Sequence, residues 1–186
     1  MKYQAEIDTI RATHPDGYNV SCEPQVGEML YALVRLCQPV VAVEIGCFLG
    51  FSTYHILSAL AANGTGKLYA IEGRDFQQTF RDKPECVFML GDSHQLVPTL
   101  PPVDFAFVDG DHSYVGLSMD IAALMPKLRI GSVVVFHDTE SYDGTLKAVA
   151  ELPKVFEKVT LPTPIVPERA LWEGKPSGIT IVRKVA

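Results

Sequence analysis

The chain has 186 residues, of which 47% are hydrophobic and 20% charged, and its formal net charge is −6. This length suits a single domain, residues 1–186, with a sizeable core, and the composition excludes a disordered chain. The acidic balance and scattered basic residues argue against a nucleic-acid partner, because phosphate neutralisation needs clusters of Lys and Arg. No apolar run approaches the roughly 20 residues of a membrane helix, so no membrane partner is expected.

Residues 1–22 precede the first periodic segment and are interpreted as an N-terminal extension that could act as a lid over a site. They mix charged and polar residues and lack the apolar centre of a signal peptide. The four cysteines, Cys22, Cys37, Cys47 and Cys86, include no CxxC pair. Small buried thiols are typical of a reducing compartment, so the expected location is the cytoplasm.

The first elements are a helix, a strand and a second helix. In EPQVGEMLYALVRLCQ (23–38), apolar residues recur at spacings of three and four, which predicts a helix. VVAVEIG (40–46) is a short β-branched run typical of a buried strand. After a turn, FSTYHILSALAA (51–62) is predicted to form a helix that ends at Asn63-Gly64.

The middle of the chain repeats this alternation. Three further strands are predicted, and between them lie a short helix and a turn with a short helical segment. In chain order these segments are KLYAIEG (67–73, strand), RDFQQTFRD (74–82, helix), CVFML (86–90, strand), GDSHQLVPTL (91–100, turn and helical segment) and VDFAFVDG (103–110, strand).

A longer helix is predicted from Ser113 to Leu128, where apolar residues again have helical spacing. Pro126 would distort its last turn and Gly131 would end it. SVVVFHDT (132–139) is the fifth predicted strand, and YDGTLKAVAEL (142–152) is another helix.

The last two predicted strands are VFEKVTL (155–161) and GITIVRKV (178–185), separated by a Pro-rich loop. They have no helix between them, so an antiparallel pair at one edge is expected. Strands that alternate with helices imply right-handed crossovers and a parallel sheet covered on both faces. The predicted fold class is therefore α/β: a three-layer, Rossmann-like fold with a mainly parallel, seven-stranded sheet and an antiparallel edge pair.

Acidic or small polar residues lie at the carboxyl end of each of the first five predicted strands. In an open α/β sheet, ligands bind beyond the carboxyl ends of the strands. We therefore expect these residues to border one hollow: Glu44 to Gly50, Glu72, Gly91 to Ser93, Asp109 to His112, and His137 to Thr139.

The segment VEIGCFLGFST narrows the choice of ligand. It lacks the GxGxxG pattern of a dinucleotide site, and Phe48 occupies space that a pyrophosphate would need. A smaller zwitterion could still approach Gly46, with the next helix N-terminus available for a carboxylate. Glu72 suits a ribose, because a carboxylate can accept hydrogen bonds from both sugar hydroxyls. A ligand with a ribose, an amino-acid end and no pyrophosphate is S-adenosylmethionine. The alternative hypothesis for the protein is an NAD-dependent dehydrogenase, against which the missing GxGxxG pattern argues.

Four segments together resemble the class I S-adenosylmethionine-dependent methyltransferases, and most closely the metal-dependent O-methyltransferases of the catechol and caffeoyl-CoA type. They are VEIGCFLGFST, GDSHQLVPTL, VDFAFVDGDHSY and GSVVVFHDT, in the order of that family. The similarity runs from about Glu23 to Thr139, roughly two-thirds of the chain. It implies S-adenosylmethionine as cofactor, a divalent metal such as Mg or Mn, and a small hydroxylated acceptor.

The resemblance also implies a cofactor site. Gly46 and Gly50 would shape the turn under the methionine end, with Ser52 at its carboxylate and Glu72 at the ribose. The residues after the third strand would border the adenine. The predicted cofactor-binding residues are Glu44, Gly46, Cys47, Phe48, Gly50, Ser52, Glu72, Gly73, Asp92, Ser93, His94 and Asp109.

A metal site is implied at the fourth and fifth strands, where Asp109 and Asp138 match the metal-binding aspartates of the family. Thr139 stands where those enzymes commonly have Asn. Two converging carboxylates would repel unless a cation or a proton intervenes. The predicted metal ligands are Asp109, Asp138, His137 and Thr139. The side chain of His137 could instead point into the core, because adjacent strand residues face opposite sides.

His112 stands where the family has a catalytic Lys. His112 and Asp109 are the predicted catalytic residues. An imidazole titrates in the range useful for taking a proton from a hydroxyl. Alternatively, His112 caps the following helix or bonds a loop carbonyl. These substituted positions leave a non-catalytic S-adenosylmethionine-binding protein as a rival reading. The sequence leaves the oligomeric state open, with a homodimer that covers a shallow pocket as one alternative.

Overall fold

The structure is a computed structural model that describes residues 1–19, 21–76, 79–165 and 176–186. Its strands are β1 (Val41–Ile45), β2 (Lys67–Glu72), β3 (Cys86–Leu90), β4 (Val103–Val108), β5 (Leu128–His137), β6 (Phe156–Leu161) and β7 (Ile179–Lys184). They form one sheet in the order β3-β2-β1-β4-β5-β7-β6. The first five strands are parallel, and β7 is antiparallel to both β5 and β6. The predicted sheet and its antiparallel edge pair are confirmed.

Helices cover both faces of this sheet. They are α1 (Gln4–Thr13), α2 (Pro15–Asn19), α3 (Pro24–Cys37), α4 (Phe51–Asn63), α5 (Ser93–Leu96), α6 (Tyr114–Leu124) and α7 (Asp143–Ala150). Within the described residues, no helix is both long enough and apolar enough to cross a membrane.

Strand β1 shows how the two faces are filled. Val41, Val43 and Ile45 belong to the apolar cluster that includes α6 and α7, whereas Ala42 belongs to the cluster that includes α1, α3 and α4. All five residues of the strand are buried. A strand buried on both faces needs apolar residues at nearly every position, which explains the continuous apolar runs in the sequence.

The N-terminal extension contains helical structure that the sequence did not indicate. In α1, Ile7 and Ile10 are 4% and 5% exposed, and Tyr54 of α4 donates a 2.6 Å hydrogen bond to Gln4. The described part of residues 1–22 is therefore anchored to the core by α1. Its action as a lid stays a prediction.

Two local predictions differ from the structure. Gly131, expected to end a helix, lies inside β5 with a φ of +92°, so that prediction is wrong. Helix α6 ends earlier, at Leu124, and a 3₁₀ turn over Met125–Lys127 contains Pro126, which lacks an N–H for a helical bond. The predicted helix over 74–82 includes two residues outside the described ranges, and its described residues, 74–76 and 79–82, form bends, turns and irregular chain.

The chain order of the strands runs in one direction from β1 to β3 and in the other from β4 onwards, so the order reverses between β1 and β4. Such a reversal leaves a crevice beyond the carboxyl ends of the two strands. Gly46, directly after β1, has a φ of +82°. A Cβ atom on Gly46 would lie 2.4 Å from the carbonyl oxygen of Asp109. A glycine is therefore required where these two strand ends meet.

Candidate active site

A cavity of about 580 Å³ opens at the carboxyl ends of the first five strands. This volume falls within the ordinary range for a small-molecule site. Glu72, Asp109 and Asp138 all line it, as expected from the ends of β2, β4 and β5. The other predicted site residues in its wall are Gly46, Cys47, Phe48, Ser52, Gly73, Asp92, Ser93, His94, His112 and His137.

Glu72 holds together two strand ends in one half of the cavity, called the cofactor half because residues predicted to bind the cofactor line it: Gly46 to Phe48, Ser52, Glu72, Gly73 and Asp92 to His94. Its Oε2 atom accepts hydrogen bonds from the backbone N–H groups of Cys47 at 3.1 Å and Phe48 at 2.8 Å. Its Oε1 atom accepts one from the backbone N–H of Arg74 at 3.2 Å. A carboxylate offers about four acceptor positions, so acceptor capacity remains for a ligand hydroxyl.

Glu44 lies behind the cavity wall and is fully buried. The Thr53 hydroxyl donates a 2.7 Å hydrogen bond to its Oε2 atom, while Oε1 has no hydrogen-bond partner among the described residues. Burial raises the pKa of Glu44 to about 7, although the hydroxyls of Ser52 and Thr53 lower it. A buried acceptor without a donor fits a nearby ligand cation. Glu44 and Gly50 lie outside the lining of the cavity.

At the opposite end of this half, Asp92 caps α5 by accepting a hydrogen bond from the backbone N–H of His94 at 2.9 Å. The imidazole of His94 lies between two carboxylates, 3.1 Å from Asp92 and 3.3 Å from Asp120. Ser93 donates a 2.6 Å hydrogen bond to Asp120. These residues form a polar end to the cavity.

Asp120 was missed by the sequence analysis. It lies in α6, is 1% exposed and lines the cavity, and burial raises the pKa of its carboxyl. A signal was present, since Asp120 occurs on the same helical face as the buried Leu117 and Leu124. A carboxylate on a buried face needs a polar partner, which here is supplied by Ser93.

The other half of the cavity contains interlocking acidic and imidazole groups. Asp109 Oδ1 lies 3.1 Å from His137 Nδ1 and 3.3 Å from His112 Nε2. Asp138 Oδ2 lies 3.5 Å from His137 Nδ1 and 3.2 Å from His112 Nε2. His137 Nδ1 and His112 Nε2 therefore each face both carboxylates.

These distances fit a metal ion. The potential ligand atoms of Asp109, His137 and Asp138 all lie within 4.8 Å of one another, and in the described part of the chain this is the one such group of three or more. Neighbouring ligands of a cation with bonds of about 2.1–2.3 Å are roughly 3.0–3.7 Å apart. The nitrogen–oxygen separations of the cluster fall in or near this range.

The backbone of Asp138 explains why two successive residues face the same cavity. His137 is the last residue of β5, and Asp138 leaves the strand with a φ of +56°. This turn brings the Asp138 carboxylate beside the His137 ring, and Ser141 donates a 2.9 Å hydrogen bond to it. The alternative in which His137 points away into the core is excluded by its place in the cavity wall.

Opposite charges hold the cluster together. Burial by itself raises the pKa of Asp109 and lowers that of His137, but their attraction outweighs burial in both. The pKa of Asp109 is consequently well below its ordinary value, and that of His137 is well above it. Burial also lowers the pKa of His112, but Asp109 and Asp138 raise it by more than burial lowers it. The net change in this pKa is therefore upward.

Glu23 was also missed, and it lies directly behind His137. It is 1% exposed, and its Oε2 atom is 2.9 Å from His137 Nε2. Burial raises the pKa of Glu23, but the hydrogen bond and charge of His137 lower it to about 2. The two residues are 114 positions apart, so no local pattern could have connected them.

The two remaining predicted positions are placed as follows. Thr139 is 1% exposed, lies outside the cavity lining and accepts a 3.1 Å hydrogen bond from Thr180, so we leave it out of the proposed ligand set.

The ring of His112 stacks on Tyr142 with 4.6 Å between centroids. The cap of α6 is Ser113, which accepts a 3.0 Å bond from Gly116.

Comparison with solved structures shows that the fold is shared. The O-methyltransferase TomG from Streptomyces achromogenes, involved in tomaymycin synthesis and in complex with SAM, has a TM-score of 0.75 and 19% identity over 98% of this chain and 90% of that chain. For the Bacillus cereus O-methyltransferase in complex with SAH these values are 0.72, 18%, 97% and 89%. For the SAH-bound methyltransferase PaMTH1 from Podospora anserina they are 0.76, 16%, 98% and 87%.

A comparison with curated protein sequences finds no match. The sequence of residues 43–139 matches the model of a family described as a methyltransferase domain. This match covers just over half of the chain and includes all four segments on which the resemblance rests. The chain therefore belongs to the methyltransferase domain family.

Proposed function

We propose that this protein is an S-adenosylmethionine-dependent O-methyltransferase that acts on a small hydroxylated molecule with the assistance of a divalent metal. One observation carries this proposal: Gly46 and Glu72, at the ends of β1 and β2, line the same cavity as the cluster of Asp109, His137 and Asp138. The two O-methyltransferases with a similar fold, which were solved with SAM or SAH, support it.

The cofactor half would bind S-adenosylmethionine, which supplies a methyl group already activated on a sulfonium. Ser52 and the N-terminus of α4 would bind the methionine carboxylate, because free N–H groups at a helix start attract anions. Glu72 would accept hydrogen bonds from the ribose. Ser93 and His94 would border the adenine.

The half of the cavity that contains Asp109, His112, His137 and Asp138, called the metal half, would bind and orient the acceptor. Asp109, Asp138 and His137 would hold the cation, which lowers the pKa of a bound hydroxyl. Holding the acceptor in line with the methyl group can contribute up to about 7–11 kcal/mol to barrier reduction. The ring stack with Tyr142 and the two carboxylates fix His112 at the same cavity wall.

His112 would accept the proton that the acceptor hydroxyl loses as the methyl group transfers. Its Nε2 atom lies 3.3 Å from Asp109 and 3.2 Å from Asp138, so the imidazolium that forms would be stabilised by carboxylates of the same cluster.

We also infer a cytoplasmic location, because all four cysteines are free. A homodimer stays a prediction, which size-exclusion chromatography with light scattering would test.

The test combines binding and turnover. We expect calorimetry to detect S-adenosylmethionine binding, and a panel of catechols, phenols and sugars with Mg²⁺, Mn²⁺ or Zn²⁺ to give a methylated product that chelation abolishes. Cofactor binding without transfer to any acceptor would favour a non-catalytic binding protein. Binding of NADH in place of S-adenosylmethionine would favour a dehydrogenase.

A further inference from the structure

Glu23 is held in place on both carboxylate oxygens. Its Oε2 atom faces His137 Nε2 at 2.9 Å, and its Oε1 atom accepts a 3.1 Å hydrogen bond from Thr163. The Thr163 hydroxyl in turn accepts a 3.1 Å bond from the backbone N–H of Gly178. Glu23 immediately precedes α3, so this buried chain of contacts joins the helix to the loop before β7.

The contact with Glu23 determines which nitrogen of His137 is available. An ionised carboxylate only accepts hydrogen bonds, so Nε2 must carry the hydrogen that it receives. The other nitrogen, Nδ1, faces Asp109 at 3.1 Å and Asp138 at 3.5 Å. When Nδ1 is deprotonated, its lone pair is directed at the same place as the two carboxylates.

This arrangement has a known consequence in metal sites. A histidine ligand usually donates its second N–H to a carboxylate or carbonyl, which fixes the ring and strengthens the ligand. The His137 ring is 3% exposed and lies beside Phe107 with 6.2 Å between centroids, so it is surrounded by packed groups.

We propose that Glu23 is a positioning residue that fixes His137 as a metal ligand through Nδ1, and that the site consequently prefers a divalent transition metal to magnesium. The inference rests on the proposed function, because it takes Asp109, His137 and Asp138 as the metal ligands. Imidazole suits manganese, iron, cobalt and zinc, whereas magnesium takes oxygen ligands in nearly octahedral geometry. Glu23 acts through His137 and has no contact with the reacting groups.

The test measures metal binding and needs no turnover. Mn²⁺ and Mg²⁺ are titrated into the full chain by calorimetry, for the wild type and for Glu23→Leu, Glu23→Gln and Asp120→Asn. We expect Mn²⁺ to bind more tightly than Mg²⁺ in the wild type. In Glu23→Leu, Mn²⁺ affinity should fall by about 10–100-fold, the usual cost of losing such a partner, with a smaller loss for Mg²⁺.

The Glu23→Gln variant retains the shape of the side chain and an oxygen that can accept the bond, so we expect a loss of about 10-fold, the low end of that range. Asp120→Asn is the matched control, because it removes a carboxylate that is equally buried at the far end of the cavity. Its Mn²⁺ affinity should be unchanged. The melting temperature verifies that each variant is folded, and S-adenosylmethionine affinity does so for the two Glu23 variants.

Pulsed EPR of bound Mn²⁺ gives a second measurement. Coupling to a ¹⁴N nucleus should be present in the wild type, lost in His137→Asn and weakened in Glu23→Leu. Unchanged Mn²⁺ affinity and coupling in both Glu23 variants would overturn the role of Glu23 and leave the methyltransferase proposal intact. A wild type that binds none of the metals would overturn this inference and the metal part of the proposed function together.

Discussion

The Glu72 end of the cofactor half and the metal half are built in different ways. In the cofactor half, Glu72 is held by backbone N–H groups of the neighbouring turns. In the metal half, side chains hold one another, since His112 and His137 each lie between Asp109 and Asp138. The Glu72 end depends on the conformation of short loops, and the metal half depends on the charges of its members.

This difference predicts how each half responds to substitution. A carboxylate bonded to backbone can be removed with mainly local effects on its loop and ligand. A carboxylate in a mutual network leaves its partners without their opposite charge when it is lost, which is costly where a partner such as His137 is buried. The substitutions below test whether the two halves fail separately.

The largest effect is expected for Asp138→Asn. Asparagine tolerates the positive φ of this position and keeps the shape, so the change removes mainly the charge. Methyl transfer should fall by at least about 100-fold, in the range reported for loss of one electrostatic stabilising group. Turnover with saturating metal measures it, and S-adenosylmethionine affinity by calorimetry should stay within about twofold.

If the wild type is fully active in strong chelator, the metal has no role and base catalysis by His112 would account for turnover. If Asp138→Asn instead loses cofactor binding, the two halves are not separable.

Gly46→Ala tests the boundary that both halves share. The added Cβ would lie 2.4 Å from the Asp109 carbonyl oxygen, and the φ of +82° is unfavourable for alanine. The free energy of unfolding should fall by about 1–3 kcal/mol. Urea denaturation measures this, with Gly73→Ala as the control, because a Cβ there meets nothing within 4 Å. Equal losses in both variants would show that the close approach is not tight.

Glu72→Ala addresses the cofactor half alone. Removing a charged acceptor of ligand hydroxyls should weaken S-adenosylmethionine binding by about 10–100-fold, equivalent to about 1.4–2.7 kcal/mol. Calorimetry measures it, and Mn²⁺ affinity should remain within about twofold of the wild type. Unchanged cofactor affinity would remove Glu72 from the site and leave it only its bonds to the backbone of Cys47, Phe48 and Arg74.

The same comparison explains what could be predicted from the sequence. Each strand end carries its own polar residues, so Glu72, Asp109 and Asp138 could be assigned to one edge from the parallel alternation alone. Glu23 could not, because its partner His137 is distant in sequence and Glu23 precedes an ordinary helix. The shared orientation of His137 and Asp138 depends on one backbone dihedral, which no residue pattern specified.

The smallest effect concerns Glu44, which is buried behind the cofactor half. Its pKa in the fold is raised by burial to about 7 from an ordinary 4.5, so the folded state disfavours its ionisation. Its contribution to stability is therefore fully present below about pH 4.5 and is lost as the pH rises through 7. Relative to Glu44→Gln, which does not titrate, the wild type should lose on the order of 2 kcal/mol between pH 5 and 8. Urea unfolding of both proteins at each pH gives this difference and cancels the titration of the other groups. A constant difference across the range would mean that Glu44 ionises freely, and that its unpaired oxygen is solvated or paired in solution.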